Sequence, residues 1–302
     1  MPDDLSSIVE STQPALLATH PDWRTEGPLW HPRGYLTFVD IAKSQLLRWD
    51  ANGKVATLRV DTGEGNGCTF DRQGNLVMCE GGDHRRISRM FPHGVVQSLV
   101  DRWQGKRFNK PNDLVCRRSD GSVYFTDPEL RVPKDQREMG FSGVFRIAPG
   151  GEVHLATNEC EYPNGLAFSP DESVLYVAIS RLDERCFQEE ERKQVCNHRK
   201  IRAFNVAHDG SLSGNRVLCD MSSAEPGVPD GMKVDAQGRL FCSGSGGIWV
   251  ISPQGQRLGV IRVPEVVRNL AFGGPDFRTL FITAGKSLYR LSLKAPGIAP
   301  YY

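Results

Sequence analysis

A weak internal repeat constrains this chain more than any other feature. An apolar residue, a turn, a Gly or polar residue and a short apolar strand recur in six copies. They read PLWHPRGYLTFVD, CTFDRQGNLVMCE, DLVCRRSDGSVYFTD, LAFSPDESVLYVA, MKVDAQGRLFCSG and LAFGGPDFRTLFIT. The residues just before the second strand of each copy are Gly34, Gly74, Gly121, Ser173, Gly238 and Arg278, spaced 40, 47, 52, 65 and 40 residues apart. A period of roughly 40 to 50 residues built from short strands is that of propeller blades, not of helical solenoids.

Each copy continues into a third alternating segment and a Gly-rich turn, as in SQLLRWDANGKV and SGVFRIAPGGEV, which is a strand–hairpin–strand pattern. Long amphipathic helices are absent, so a βα alternation does not fit. The expectation is an all-β, six-bladed β-propeller with four strands per blade, one domain over residues 1–302. The segment around Pro14 to Pro21 is expected to complete the last blade, and Arg181 to Lys200 to be an insertion that accounts for the 65-residue interval.

Composition narrows the function. With 37 Lys+Arg against 36 Asp+Glu the net charge is +1, which removes the electrostatic argument for a nucleic acid or an anionic membrane. No apolar run approaches the ~20 residues of a transmembrane helix. The acidic start MPDDLSSIVE does not read as a secretory signal, so a cytoplasmic protein, monomer or homodimer, is expected. The eight cysteines form no CxxC pair. Those inside apolar runs read as small buried hydrophobes. Cys186 and Cys196, in the charged insertion, are the one pair for which a disulfide is open, though it is the less favoured reading in a cytosolic chain.

The first strand of every copy begins with one polar residue. Glu26, Asn66, Asn112, Asn164, Asp230 and Asn269 precede their anchors by 8, 8, 9, 9, 8 and 9 residues. First strands line a propeller's central channel, so six polar side chains at one phase form a ring at one mouth. Any one alone reads equally well as a turn residue. A ring of carboxylate and amide oxygens without Cys or His suits a hard divalent cation, and Ca²⁺ accepts such ligands in irregular geometry, with Zn²⁺, Mn²⁺ or Mg²⁺ as substitutes. Glu26 and Asp230 would neutralise its charge.

The chain resembles the SMP-30/gluconolactonase/LRE family of calcium-dependent propellers, on its bacterial gluconolactonase side. The resemblance runs from about Glu26 to Leu291. It is carried by EGP (26–28), NGCTFDRQGNLVMCE (66–80), RFNKPNDL (107–114), VYFTDP (123–128), YPNGLAFSPDE (162–172), VPDGMKVDAQG (228–238) and FGGPDFRTLFIT (272–283). It implies a metal held by Glu26, Asn164 and Asp230, with Asn112 beside it as ligand or substrate contact. More loosely, Asn109 and Arg107 match a segment that approaches substrate. Where the family commonly has a short E-H-G-x-R-R turn this chain has CEGGDHRRISR, which displaces His84 and leaves it without an implied role. Trp103, on the loop before PND, is core or stands near the pocket.

The activity implied is a metal-dependent lactonase opening a sugar lactone such as gluconolactone to its hydroxy acid. A channel-mouth cation would polarise the carbonyl and stabilise the oxyanion. Asp230 is the candidate catalytic base, with covalent attack and a purely ligating role left open. No GxSxG motif supports a serine hydrolase. The alternatives are a phosphotriesterase or esterase on the same ring, and a non-catalytic propeller binding metal and a small ligand or a protein.

Overall fold

The computed structural model describes residues 4–181 and 198–300. Six four-stranded antiparallel sheets follow one another along the chain, as expected for a six-bladed propeller. They span residues 25–59, 65–100, 114–157, 163–220 and 232–261, and the sixth combines 267–292 with 15–19. Within each of the first five, strand order in space is strand order in sequence. The sixth runs Ala15–Thr19, Ser287–Ser292, Thr279–Ala284, Val267–Gly273, so its outermost strand comes from the N-terminal end. Ala15 pairs with Arg290 and Thr19 with Ser287, tying the start of the chain to its end.

The repeated turn of all six blades shares one kind of side-chain bond. A side-chain acceptor near the end of the first strand takes the N–H two residues on: His31 from Arg33, Asp71 from Gln73, Asp120 from Ser122, Asp171 from Ser173, Asp235 from Gln237 and Asp276 from Arg278. Each turn also holds one left-handed residue, one position past the donor in blades 1, 2 and 5 and between acceptor and donor in blades 3, 4 and 6. It is glycine in four blades (Gly34, Gly74, Gly121, Gly238) and Glu172 and Phe277 in the others. The left-handed residues of blades 4 and 6 therefore lie one position before the expected anchors Ser173 and Arg278.

In blade 4 the second strand runs Val174–Arg181 and the third starts at His198, with Ser180 opposite Arg199. The ends of the expected insertion are thus sheet residues. The rest of it, with Cys186 and Cys196, lies outside the described residues. The other six cysteines are buried and free. Between blades the core is aromatic and aliphatic. In blade 3, Phe145 stacks on Phe125 and meets Phe108 and Trp103 edge-on, which fills the space toward blade 2. Trp103 is half-buried there.

Candidate active site

All six ring residues are buried where the first strands begin: Glu26, Asn66, Asn112, Asn164, Asp230 and Asn269 are each at most 9% exposed. Four are followed by glycine, and those glycines let the blades approach. A Cβ at Gly27 would collide with the carbonyl of Asn66, at Gly67 with Asp113, at Gly165 with the carbonyl of Asp230, and at Gly231 with Asn269. Each of these glycines therefore abuts the next blade's polar position. Backbone bonds accompany the packing: Gly67 N–H donates to Asn112 O (2.8 Å) and Gly165 N–H to Asp230 O (3.1 Å). Thr126 Oγ1 donates to Asn164 O (2.8 Å), joining blades 3 and 4.

Blade 3 contributes a residue that spacing had passed over. Counted to the left-handed turn residue, the interval is 8 in five blades and 9 from Asn112 to Gly121. Eight residues before Gly121 stands Asp113, 2% exposed. Its local bonding matches that of Asn269: Asp113 Oδ1 accepts Leu114 N–H at 2.8 Å as Asn269 Oδ1 accepts Leu270 N–H at 2.8 Å. Asp113 thus holds the ring phase, and Asn112 lies one residue earlier, also buried.

The channel side chains form a network. Asn269 Nδ2 donates to Glu26 Oε2 (2.9 Å) and to Asp113 Oδ2 (3.2 Å). Lys233 Nζ donates to Asn269 Oδ1 at 3.3 Å. Gly27 N–H also donates to Glu26 Oε2 (2.6 Å), and Asp230 N–H donates to Ser243 Oγ (2.9 Å). Burial, then the charges of Asp230 and Asp113, push the Glu26 carboxyl up to about 8, against the bonds from Gly27 and Asn269. Burial also raises Asp113, which Lys233 pulls back down. Three carboxylates in one buried channel, with one ammonium among them, hold more negative charge than they can satisfy alone.

That excess tests whether a cation fits. Among the described residues no three Asp, Glu, His or Cys side chains make a metal site by themselves, so a cation depends on the amides. The amides have atoms to spare: Asn66 Oδ1 and Asn164 Nδ2 are buried without a hydrogen-bond partner. A half-turn of the Asn164 amide puts its oxygen where the unpaired nitrogen is. Oxygen-only donors, two with charge, and orphaned amide atoms suit a hard divalent cation.

The other expected residues lie to one side. Asn109 is fully buried; its N–H and Nδ2 donate to Asp127 Oδ2 (2.8 and 3.0 Å), Nδ2 also donates to Phe141 O, and Oδ1 is orphaned. Burial pushes the Asp127 carboxyl up to about 7 despite these N–H bonds and that from Lys110. Arg107 Nη2 donates to Asp83 O (2.7 Å) and its N–H to Glu138 Oε2 (2.8 Å), clamping the Arg102–Trp103/Lys106–Arg107 hairpin between blade 2 and the loop before Phe141. His84 is engaged elsewhere, its Nδ1 2.7 Å from Glu80 Oε2 in a cluster with Arg59 and Arg86. Asp113 and Lys233 are the channel residues that sequence reasoning missed. The interval singles out the first only when it is counted to the left-handed residues; Lys233, in the strand MKV, carried no signal.

Comparison with known proteins agrees with this architecture. Residues 24–286 match the model of the SMP-30/gluconolactonase/LRE-like region. Gluconolactonase of Zymomonas mobilis is 31% identical, with 97% of this chain and 85% of that protein aligned. A pentonolactonase of Haloferax volcanii is 30% identical over 85% of this chain and 80% of its own. The structure of a gluconolactonase from Xanthomonas campestris superposes with a TM-score of 0.82 at 34% identity, covering 96% of this chain and 92% of that one. With the family model spanning nearly the whole ring of blades, the chain belongs to the SMP-30/gluconolactonase/LRE-like family.

Proposed function

We propose that this protein is a metal-dependent lactonase that opens a sugar lactone to its hydroxy acid at the ringed mouth of the channel. The observation that carries the reading is the buried convergence of Glu26, Asp113 and Asp230 with orphaned Asn amides, in a chain similar to gluconolactonases and a pentonolactonase. Glu26, Asn164 and Asp230 would hold the cation, Ca²⁺ by the donor set, with Asn112 at its side. Bound there, the cation supplies Lewis acidity that draws charge from the lactone carbonyl and stabilises the oxyanion.

The chain's own residues supply orientation and proton transfer. Asn269 fixes the Glu26 carboxylate through Oε2, and Lys233 fixes the Asn269 amide through Oδ1, so the amide cannot flip away from its two carboxylates. Asp230 takes the proton from the attacking water and returns it to the ring oxygen as the C–O bond breaks. Its backbone is held by the Ser243 hydroxyl and by Gly165 N–H, so the carboxylate is aimed by two blades at once.

The test is a pH-indicator assay of the Ca²⁺-loaded protein against aldonolactones, aryl esters and a phosphotriester. Acid release from aldonolactones, exceeding that from the other two classes, is the expected result. Preference for the phosphotriester or the aryl ester would reassign the substrate, and silence on all three would leave a binding propeller.

A further inference from the structure

Further along the first strands, past the ring, the channel becomes apolar. Pro28, Cys68, Leu114, Leu166, Val234 and Ala271, one from each blade, line a cavity there, together with Ile298, Ala299 and Pro300 of the C-terminal segment. Lys233 lines the same cavity and stands three residues after Asp230. It is half-buried, between the charged ring and the apolar wall.

The ammonium of Lys233 is bonded to neutral oxygens. Nζ donates to Asn269 Oδ1 at 3.3 Å and to Met232 O at 3.1 Å, and among the described residues it makes no ion pair. By contrast, Lys110 near the mouth and Arg118 in the cavity wall each have a carboxylate of their own. Lys110 Nζ donates to Glu64 Oε2 at 2.5 Å, and Arg118 Nε lies 3.7 Å from Glu172 Oε1. The charge of Lys233 therefore acts on the ring. Through Asn269 it is one amide away from both Glu26 Oε2 and Asp113 Oδ2. At Asp113, burial raises the carboxyl and Lys233 opposes it. Apolar walls on its other side screen the ammonium poorly, so its field carries to the ring.

With a cation bound, Glu26, Asp113 and Asp230 bring three negative charges to the channel. Lys233 offsets one, and the two that remain are those a divalent cation neutralises. The oxygen donors alone require only that the ion be hard. They do not distinguish two ions of one size and different charge, whereas a fixed ammonium repels the more highly charged ion more strongly. We infer that Lys233 is the residue that sets the charge of the ion the ring accepts, favouring a divalent over a trivalent cation of similar radius. This rests on the metal-binding part of the lactonase reading and not on turnover.

The experiment measures Kd for Ca²⁺ and for Tb³⁺, an ion of similar radius that also takes oxygen ligands. Calorimetry is run on the metal-stripped full chain and on Lys233→Gln, Lys233→Met and Lys233→Arg, each checked for cooperative unfolding. The readout is the ratio of the two constants, because loss of the bond to Asn269 weakens both ions alike and loss of the charge does not. We expect the ratio to shift toward Tb³⁺ by tenfold or more in Lys233→Gln and Lys233→Met, and to stay within threefold of the parent in Lys233→Arg, which keeps the charge. Adding Asp113→Asn to Lys233→Gln restores the parent's charge count and should return the ratio toward the parent's. A shift below tenfold in either folded neutral variant, a shift beyond threefold in Lys233→Arg, or a double variant as shifted as the single overturns the inference, whatever the lactone kinetics. Asp230→Ala should abolish tight binding of both ions. No binding by the parent, or binding that Asp230→Ala leaves unchanged, overturns the ring as a metal site and the inference with it. The expected ratios without hydrolysis of any lactone uphold the inference and overturn the lactonase reading alone.

Discussion

Asn269 Nδ2 lies 2.9 Å from Glu26 Oε2 although 243 residues separate them. The bond joins the first strand of the last blade to that of the first, at the level of the ring. The same nitrogen reaches Asp113 Oδ2, so one amide bridges two carboxylates from blades 1 and 3. Asn269→Ala removes the donor from two buried acceptors, at a cost of about 1–3 kcal/mol for groups left unsatisfied. Urea unfolding of the metal-free variant should show that loss. Ca²⁺ should restore part of it, because the cation replaces the missing positive partner. A variant as stable as the parent without metal would mean the bridge is incidental.

The two proposed carboxylate ligands should separate kinetically. Asp230→Asn keeps an oxygen and loses the base, so kcat should fall ~10²–10⁴-fold even with saturating metal. Glu26→Gln should act through metal affinity, with excess Ca²⁺ recovering much of the rate. Steady-state kinetics across a metal titration decides. Full metal rescue of Asp230→Asn, with none of Glu26→Gln, would reverse the two roles.

Gly231→Ala should be among the most damaging single substitutions in the channel. Its Cβ would meet the Asn269 backbone as well as its side chain, so neither blade can yield by a rotamer change. Overpacking of this kind costs about 1–3 kcal/mol. Gly74 is a useful contrast: its neighbourhood is open, and only its φ of +78° opposes a side chain. Denaturant midpoints of Gly231→Ala and Gly74→Ala, with metal affinity measured for both, should show lost affinity in the first alone.

Stability should depend on pH through His31. Burial, then the charges of Arg33 and Arg48, depress it to about 4 from an ordinary 6.5, so the folded protein keeps the ring neutral. Below pH 6.5 the unfolded chain takes up a proton that the fold refuses. The neutral ring's contribution is therefore present above pH 6.5 and lost as pH falls toward 4. Its Nδ1 accepts Arg33 N–H in the blade 1 turn, a role Asn can fill without titrating. Between pH 7.5 and 5 the parent should lose more urea resistance than His31→Asn; equal losses would locate the acid sensitivity elsewhere.

The blade count and the ring could be read from sequence because both arise from local chemistry. An Asp or His acceptor followed by a left-handed residue marks each first turn, and the polar residue about eight positions earlier marks each strand's entry to the channel. Where glycine is replaced by Glu172 or Phe277, the marker blurs by one residue, and the sequence repeat points to Ser173 and Arg278 instead. Blade 3 hid its ring member because Asn112 and Asp113 are adjacent and both polar; only the interval to Gly121 tells them apart. Lys233 alternates with apolar neighbours as a surface lysine would, and its direction into the channel shows only in its bond to Asn269 Oδ1.

The most direct test of the account is hydrolysis of glucono-δ-lactone by protein stripped of metal, with removal verified by elemental analysis, and then titrated with Ca²⁺. The account predicts no turnover above the uncatalysed rate in the stripped protein, and recovery that saturates near one equivalent bound in the channel. Undiminished turnover by the verified metal-free protein would contradict it.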